Sequence, residues 1–97
     1  MDRQAILARL SGSAEEIRQR FSVKKLAVFG SVAREEAGDT SDVDVLVTFD
    51  KKANFDLFMD LKFYLEELLG TEVDLVTDKA LRPQMREVIE REIIRVA

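Results

Sequence analysis

Three short runs that read as strands, Lys24 to Phe29, Val43 to Phe49 (rich in β-branched residues) and Glu72 to Thr77, punctuate a chain of 97 residues. Strands of this length are not stable alone, so they must share a sheet and bury at least one face. The segments between them carry apolar residues at helical spacing. Ile6, Leu7, Leu10, Ala14, Ile17 and Phe21 precede the first run, interrupted by Ser11-Gly12-Ser13. Ser13 followed by Glu16 has the form of a capping box, which predicts a short helix, a joint and a second helix ending near Arg20. Gly30-Ser31 stops the first strand, Val32 to Ala37 has room for about two helical turns, and Gly38-Asp39-Thr40-Ser41 is turn chemistry. Asp50 to Asn54 is a polar loop. Asn54 can cap a helix with Leu57, Phe58, Leu61, Leu65, Leu68 and Leu69 on its apolar face, and Gly70 stands where that helix needs a left-handed residue. Pro83 opens a last helix with Met85, Val88, Ile89 and Ile93 inward. The order α-β-α-β-α-β-α predicts an α/β (α+β) fold, one sheet covered by helices, as a single domain over residues 1–97.

Composition narrows the chemistry. The chain has no Cys and no His, which removes disulfides, thiolate nucleophiles, the Ser-His-Asp triad, imidazole bases and the usual zinc sites. The tools left are carboxylates, Lys/Arg, hydroxyls, one Tyr and backbone N–H groups. Carboxylates favour hard ions such as Mg²⁺ or Mn²⁺. Fifteen basic against 19 acidic residues, net −4, argues against a long nucleic acid as direct partner. No apolar run approaches the ~20 residues that span a bilayer, and Met1-Asp2-Arg3-Gln4 lacks the order of a signal peptide. The expected location is the cytoplasm, away from any membrane.

Against this background two aspartates stand out. Asp42 and Asp44 are two apart in the second strand run, so a strand puts both carboxylates on one face, with Cα atoms ~6.7 Å apart. Val43, Val45, Leu46 and Val47 mark the strand as buried. A buried carboxylate without a partner is costly, and two facing one way also repel, by roughly 1 kcal/mol in water at ~4 Å. Asp74 repeats the anomaly within Glu72-Val73-Asp74-Leu75-Val76. If the second and third strands are neighbours, a divalent cation relieves all three. Taken singly, Asp42 can also end a turn and Asp74 can pair with Lys or Arg.

Gly30-Ser31 lies between a buried strand and a short helix. Glycine lets a backbone come close to a ligand, and Ser31 adds a hydroxyl donor for a phosphate oxygen. Ten residues separate Ser31 from Asp42, on a strand that would return beside the first. Phosphate donors would then face the metal-binding carboxylates.

Phe29-Gly30-Ser31-Val32-Ala33-Arg34 followed by Ser41-Asp42-Val43-Asp44-Val45-Leu46-Val47 resembles the GS-x10-DxD signature of the polymerase-β-like nucleotidyltransferase superfamily. More narrowly, nearly the whole chain resembles the minimal nucleotidyltransferases, or MNT proteins, single domains with a small three-stranded mixed sheet covered by helices. The resemblance implies that Asp42, Asp44 and Asp74 are catalytic and hold two Mg²⁺ ions, with Mn²⁺ an alternative, and that Asp74 helps to activate the acceptor hydroxyl. It implies that Gly30 and Ser31 bind the phosphates of ATP and that a nucleoside monophosphate is transferred as pyrophosphate leaves. Arg34 is a further nucleotide-binding candidate, or simply an exposed helix arginine. Glu35 departs from the family, which commonly shows Ala-Arg-Gly there. An inward Glu35 would weaken nucleotide binding; an outward one would matter little.

The minimal proteins resemble antitoxins paired with helical HEPN ribonucleases, which implies transfer of AMP from ATP to a tyrosine of the toxin. Net −4 suits docking on a basic RNA-binding surface. Two alternatives stay open: an antitoxin that silences its partner by binding alone, and a transferase for a small molecule or RNA end with a separate acceptor-binding subunit. A homo-oligomer is also left open. Phe55, Phe63 and Tyr64 beside the apolar face of the 54–69 helix mark either an interface or a well-buried helix, with Tyr64 read as packing. Lys24-Lys25 reads as an edge device. Lys79, Arg82 and Arg86 are candidates to reach a triphosphate, or a solvated helix face.

Overall fold

The structure is a computed structural model that describes residues 2–35 and 42–97. Two helices open the chain, α1 (Arg3–Gly12) and α2 (Ala14–Phe21). Asp2 caps α1, its carboxylate accepting from the Ala5 N–H at 2.8 Å. The joint falls at Ser13 as the sequence predicts, but the capping box does not form: the Ser13 side chain makes no cap hydrogen bond. Its backbone stays at φ −108°, ψ 8°, not the extended geometry a capping side chain needs. The helical path barely breaks there, since the Ser13 N–H still donates to the Leu10 carbonyl and its own carbonyl accepts from Ile17. Glu16 instead accepts the Tyr64 hydroxyl at 2.8 Å.

Strand β1 (Val23–Phe29) runs directly into α3 (Gly30–Ala33), a single turn. This turn begins at Gly30, ahead of the predicted Val32, and gives way to a non-helical turn at Arg34 and Glu35. Glu35 takes φ 60°, a left-handed value that ends any right-handed helix. Residues 36–41, including the predicted Gly38-Asp39-Thr40-Ser41 turn, lie outside the described residues. The chain continues through β2 (Val43–Phe49), α4 (Phe55–Leu69), β3 (Val73–Thr77), a 3₁₀ turn over Asp78–Ala80, α5 (Pro83–Glu92) and β4 (Ile94–Arg95). Asn54 caps α4 by accepting from the Leu57 N–H at 2.8 Å. Gly70 closes α4 at φ 69°, and Pro83 occupies the start of α5. No helix among the described residues is long and apolar enough to cross a membrane.

The sheet is mixed and has four strands in the order β3-β2-β1-β4, where three were expected. β2 and β3 are parallel; β1 is antiparallel to both β2 and β4. The extra strand is the tail leaving α5: Ile93 turns to φ −67°, ψ 146°, and the next two residues pair with Ala27 and Val28. Two residues carry no readable period, and Ile93 continues the apolar spacing of the helix before it. Lys24 and Lys25 are exposed on β1, which is an inner strand and not an edge, beside a register irregularity in its pairing with β2.

One face of the sheet holds the core. Leu26, Val28, Val43, Val45, Val47, Val73 and Leu75 meet Ile6, Leu10, Ile17, Phe21, Leu61, Leu65 and Leu69 from α1, α2 and α4. Side chains alternate across a strand, so burying the three valines of β2 commits Asp44 to the opposite face. Ala27 is buried on that other side, and Leu81 and Ile89 are buried outside the main cluster.

Candidate functional site

The parallel register sets Asp44 directly beside Asp74 and the antiparallel register sets it beside Phe29. The two carboxylates therefore extend from adjacent strands on the same face, near the end where β1 delivers Gly30. Asp42 is exposed and immediately precedes β2, outside the strand proper. It shares with Asp74 an open cleft of about 720 Å³, lined also by Lys62, Glu66, Thr71 and Glu72.

Asp44 lies half-buried on β2. Burial pushes its carboxyl above the usual range; the charges of Asp74 and Asp42 and a side-chain hydrogen bond with Asp74 push the same way, and Arg34 opposes them. No Lys or Arg ion pair reaches Asp42, Asp44 or Asp74 among the described residues. Three oxygen-donor carboxylates with no ion pair among the described residues suit a hard divalent ion. As they stand, no three His, Cys, Asp or Glu side chains among the described residues are gathered closely enough to hold a metal. The strands converge as expected and bring Asp44 and Asp74 within side-chain hydrogen-bond reach, but no third such side chain among the described residues completes a metal-holding cluster with them.

Gly30 sits at φ 71°. A Cβ there would overlap Asp44 Oδ2 and lie 3.0 Å from its Cγ, so the missing side chain lets the turn close on the carboxylate. The Gly30 N–H donates to Glu92 Oε1 at 3.3 Å, and the second carboxylate oxygen of Glu92 takes Arg34 Nη1 at 2.9 Å. Ser31 is half-buried on the same turn. Glu35 points away from this end: it is paired with Arg3 at 3.1 Å, and its side chain is 67% exposed.

Across the cleft, Glu66 ties α4 to β3. Its Oε2 accepts from Lys62 Nζ at 2.8 Å and from the Val73 N–H at 3.0 Å. The Lys62 hydrogen bond, then the Val73 N–H, holds the Glu66 carboxyl below its ordinary range. Sequence reasoning missed Glu66 and Glu92. The first had a signal, the i,i+4 pair with Lys62. The second had none, since Glu92 meets partners 58 and 62 residues away.

The basic candidates near the last helix stand elsewhere. Lys79 joins Lys51 and Lys52 around a pocket of about 340 Å³ at the other end of β2 and β3. Arg86 donates to the Asp78 carbonyl at 2.7 Å. A second groove of about 720 Å³, beside α2 and α4, is lined by Phe21, Phe63, Tyr64 and Arg20 among others. Tyr64 packs on Phe21 with ring centroids 5.1 Å apart. Phe55 and Phe63 are 74% and 56% exposed, so α4 is not buried all round.

Comparison with known proteins follows the same lines. A family model described as a nucleotidyltransferase domain matches residues 10–96. The chain is 41% identical over 87 residues to the protein adenylyltransferase MntA of Thermococcus cleftensis, covering 90% of this chain and 88% of that one. A solved structure described as a candidate minimal nucleotidyltransferase superposes with a TM-score of 0.84 at 39% identity, over 97% of this chain and 95% of its own. A tri-AMPylated Shewanella oneidensis HEPN toxin in complex with MNT antitoxin matches with a TM-score of 0.67 at 14% identity, over 98% and 71%; that likeness is one of fold.

Proposed function

Since the chain belongs to the nucleotidyltransferase domain family, and is a nucleotidyltransferase, we propose that it moves AMP from ATP to a tyrosine hydroxyl of a helical HEPN-type partner and so acts as its antitoxin. The observation that carries the reading is the register of Asp44 with Asp74 beside a Gly30 turn that only glycine permits. The names of the MntA relative and of the AMPylated toxin complex support the choice of AMP and of partner.

Asp42, Asp44 and Asp74 would hold magnesium, which when bound supplies charge neutralisation for an in-line displacement. The remaining work is positioning. Ser31 donates its hydroxyl to a phosphate oxygen, and Gly30 lets that oxygen approach Asp44's end of the sheet. Asp74, on the cleft that also contains Asp42, takes the proton of the incoming tyrosine hydroxyl. The new bond joins the tyrosine oxygen to the α-phosphorus, and the bond to the pyrophosphate oxygen breaks. Glu35, where the family commonly has Gly, is the main support for an antitoxin that acts by binding alone; its pairing with Arg3 and its exposure favour transfer instead.

The test is intact-mass analysis of a co-purifying helical partner, with the wild type and with Asp42→Asn. The expected result is a partner heavier by one or more AMP units with the wild type only, and equal binding by both forms. A partner bound by both and modified by neither refutes transfer and leaves occlusion. AMP found on an RNA end or small molecule moves the acceptor elsewhere.

A further inference from the structure

Glu92 occupies a position that local rules disfavour. It is the last residue of α5, where the helix dipole presents its negative end to a negative side chain. Its side chain is only 20% exposed, so water does little to relieve that conflict. What offsets it is a pair of contacts on the turn after β1. One oxygen receives the Gly30 N–H at 3.3 Å and the other receives Arg34 Nη1 at 2.9 Å. Gly30 sits against Asp44, its missing Cβ leaving the space that Asp44 Oδ2 fills, and Arg34 closes the same turn, its N–H donating to the Gly30 carbonyl at 3.1 Å. The segment carrying Glu92 is fixed in turn, because β4 follows at once and pairs with Ala27 and Val28 of β1. One carboxylate thus sets the orientation of the Gly30 peptide and of the Arg34 guanidinium from a rigid support.

We propose that Glu92 is a positioning residue of the transfer site, holding the Gly30 turn and Arg34 in the arrangement that receives the nucleotide's phosphates. This rests on the transfer reading above. Glu92 acts through Arg34 and Gly30 and is not itself in contact with the reacting atoms. A hydrogen bond to a charged group commonly matters by about tenfold or more in an equilibrium. The effect should fall on nucleotide affinity, since the phosphates are held alike before and during transfer.

The experiment compares wild type, Glu92→Ala, Glu92→Gln, Arg34→Gln and the double variants R34Q/E92A and R34Q/E92Q, each with the complete sequence. It reads the Kd for Mg-ATP without partner, and KM and kcat with the partner present. In Glu92→Ala, Kd and KM should rise about tenfold with kcat within about twofold. Glu92→Gln, isosteric and still able to accept the Gly30 N–H, should recover part, to about threefold. Glu92→Ala should cost less in the Arg34→Gln background than in the wild type, because part of its effect is already lost. Unchanged constants in Glu92→Gln and Glu92→Ala overturn the proposal. A lower KM also overturns it, making Glu92 a competitor for the Gly30 N–H, as does a fall in kcat alone. Should Glu92→Ala not fold, Glu92→Gln and the coupling of Glu92→Gln with Arg34→Gln decide. If the wild type neither binds Mg-ATP nor transfers AMP, the functional reading itself fails and takes this one with it; an active wild type with indifferent Glu92 variants sinks this one only.

Discussion

Gly30 and Gly70 have nearly the same backbone, φ 71° and φ 69°, and opposite surroundings. A Cβ on Gly70 meets nothing within 4 Å; one on Gly30 overlaps Asp44 Oδ2, with Asp44 Cγ at 3.0 Å and Cβ at 3.3 Å. Alanine at either site carries the left-handed penalty of about 1–2 kcal/mol, partly offset by the entropy that glycine loses on folding. Gly70→Ala should therefore cost about 1 kcal/mol and lower Tm by roughly 4–8 °C in a chain of this size. Gly30→Ala bears that cost and must also push Asp44 aside, an overpacking term of about 1–3 kcal/mol. Its total is about 2–4 kcal/mol, a Tm loss of roughly 10–30 °C. Because the displaced atom is a carboxylate oxygen of the site, AMP transfer should fall about 100-fold or more, while Gly70→Ala keeps wild-type transfer. Thermal melts and a transfer assay on the two variants make the comparison, each being the control for the other. If both melt together and both transfer normally, the close approach of Gly30 to Asp44 plays no part, and the argument for the site loses its geometric basis.

The other expectations are brief. Asp44 has a raised carboxyl, so its favourable contribution to folding is complete below the unfolded pKa and is lost as pH rises through the folded one. Asp44→Asn should thus raise Tm by a few degrees at neutral pH, about 1 kcal/mol, with the gain vanishing in acid and transfer abolished; a lower Tm at pH 7 contradicts this. Glu66 has a lowered carboxyl, so its stabilisation is present above the unfolded pKa and is lost as pH falls through the folded one. Glu66→Ala, which strands the Val73 N–H, should cost about 1 kcal/mol at pH 7, and a melt series showing the same deficit at low pH would count against it. Glu35→Gly relieves φ 60° at the loss of an exposed ion pair, so Tm should rise by roughly 2–6 °C with transfer unchanged. Any fall in transfer would mean that Glu35 serves the site.

Much of this molecule could be read from local chemistry. Asn54 and Gly70 bracket α4 because a side-chain acceptor and a left-handed C-terminus are requirements of single residues. Asp44 was legible because a carboxylate amid Val43, Val45 and Val47 contradicts its neighbours, and alternation then fixes its face. The register with Asp74 needed only that β2 and β3 be adjacent. Ser13 misled because capping depends on backbone angles, and the chain hardly leaves the helix there. Strand β4 was hidden by its length and by Ile93, which fits the spacing of the helix it terminates. Glu92 was invisible for a different reason. Its role depends on partners near residue 30, and a lone acid at the end of an Arg/Glu-rich helix looks like any other.

Around the β1–α3 turn three described residues break local rules: Asp44 as a carboxylate in a buried strand, Glu92 as an acid at a helix C-terminus, and Glu35 as a non-glycine at positive φ. What separates them is what would be released if each were corrected. Among the described residues, replacing Glu35 frees an exposed ion pair with Arg3 and removes no contact with the Gly30 turn. Replacing Asp44 or Glu92 removes a partner of the same turn, since Gly30 abuts Asp44 by its missing Cβ and Glu92 by its N–H. Two conflicts thus meet on one glycine, and mending either for stability disturbs the turn that both of them contact. Such shared strain is expected where geometry is held for chemistry rather than for folding, and it supports the proposed reading in which the junction of β1, α3 and the end of α5 works together with the aspartates.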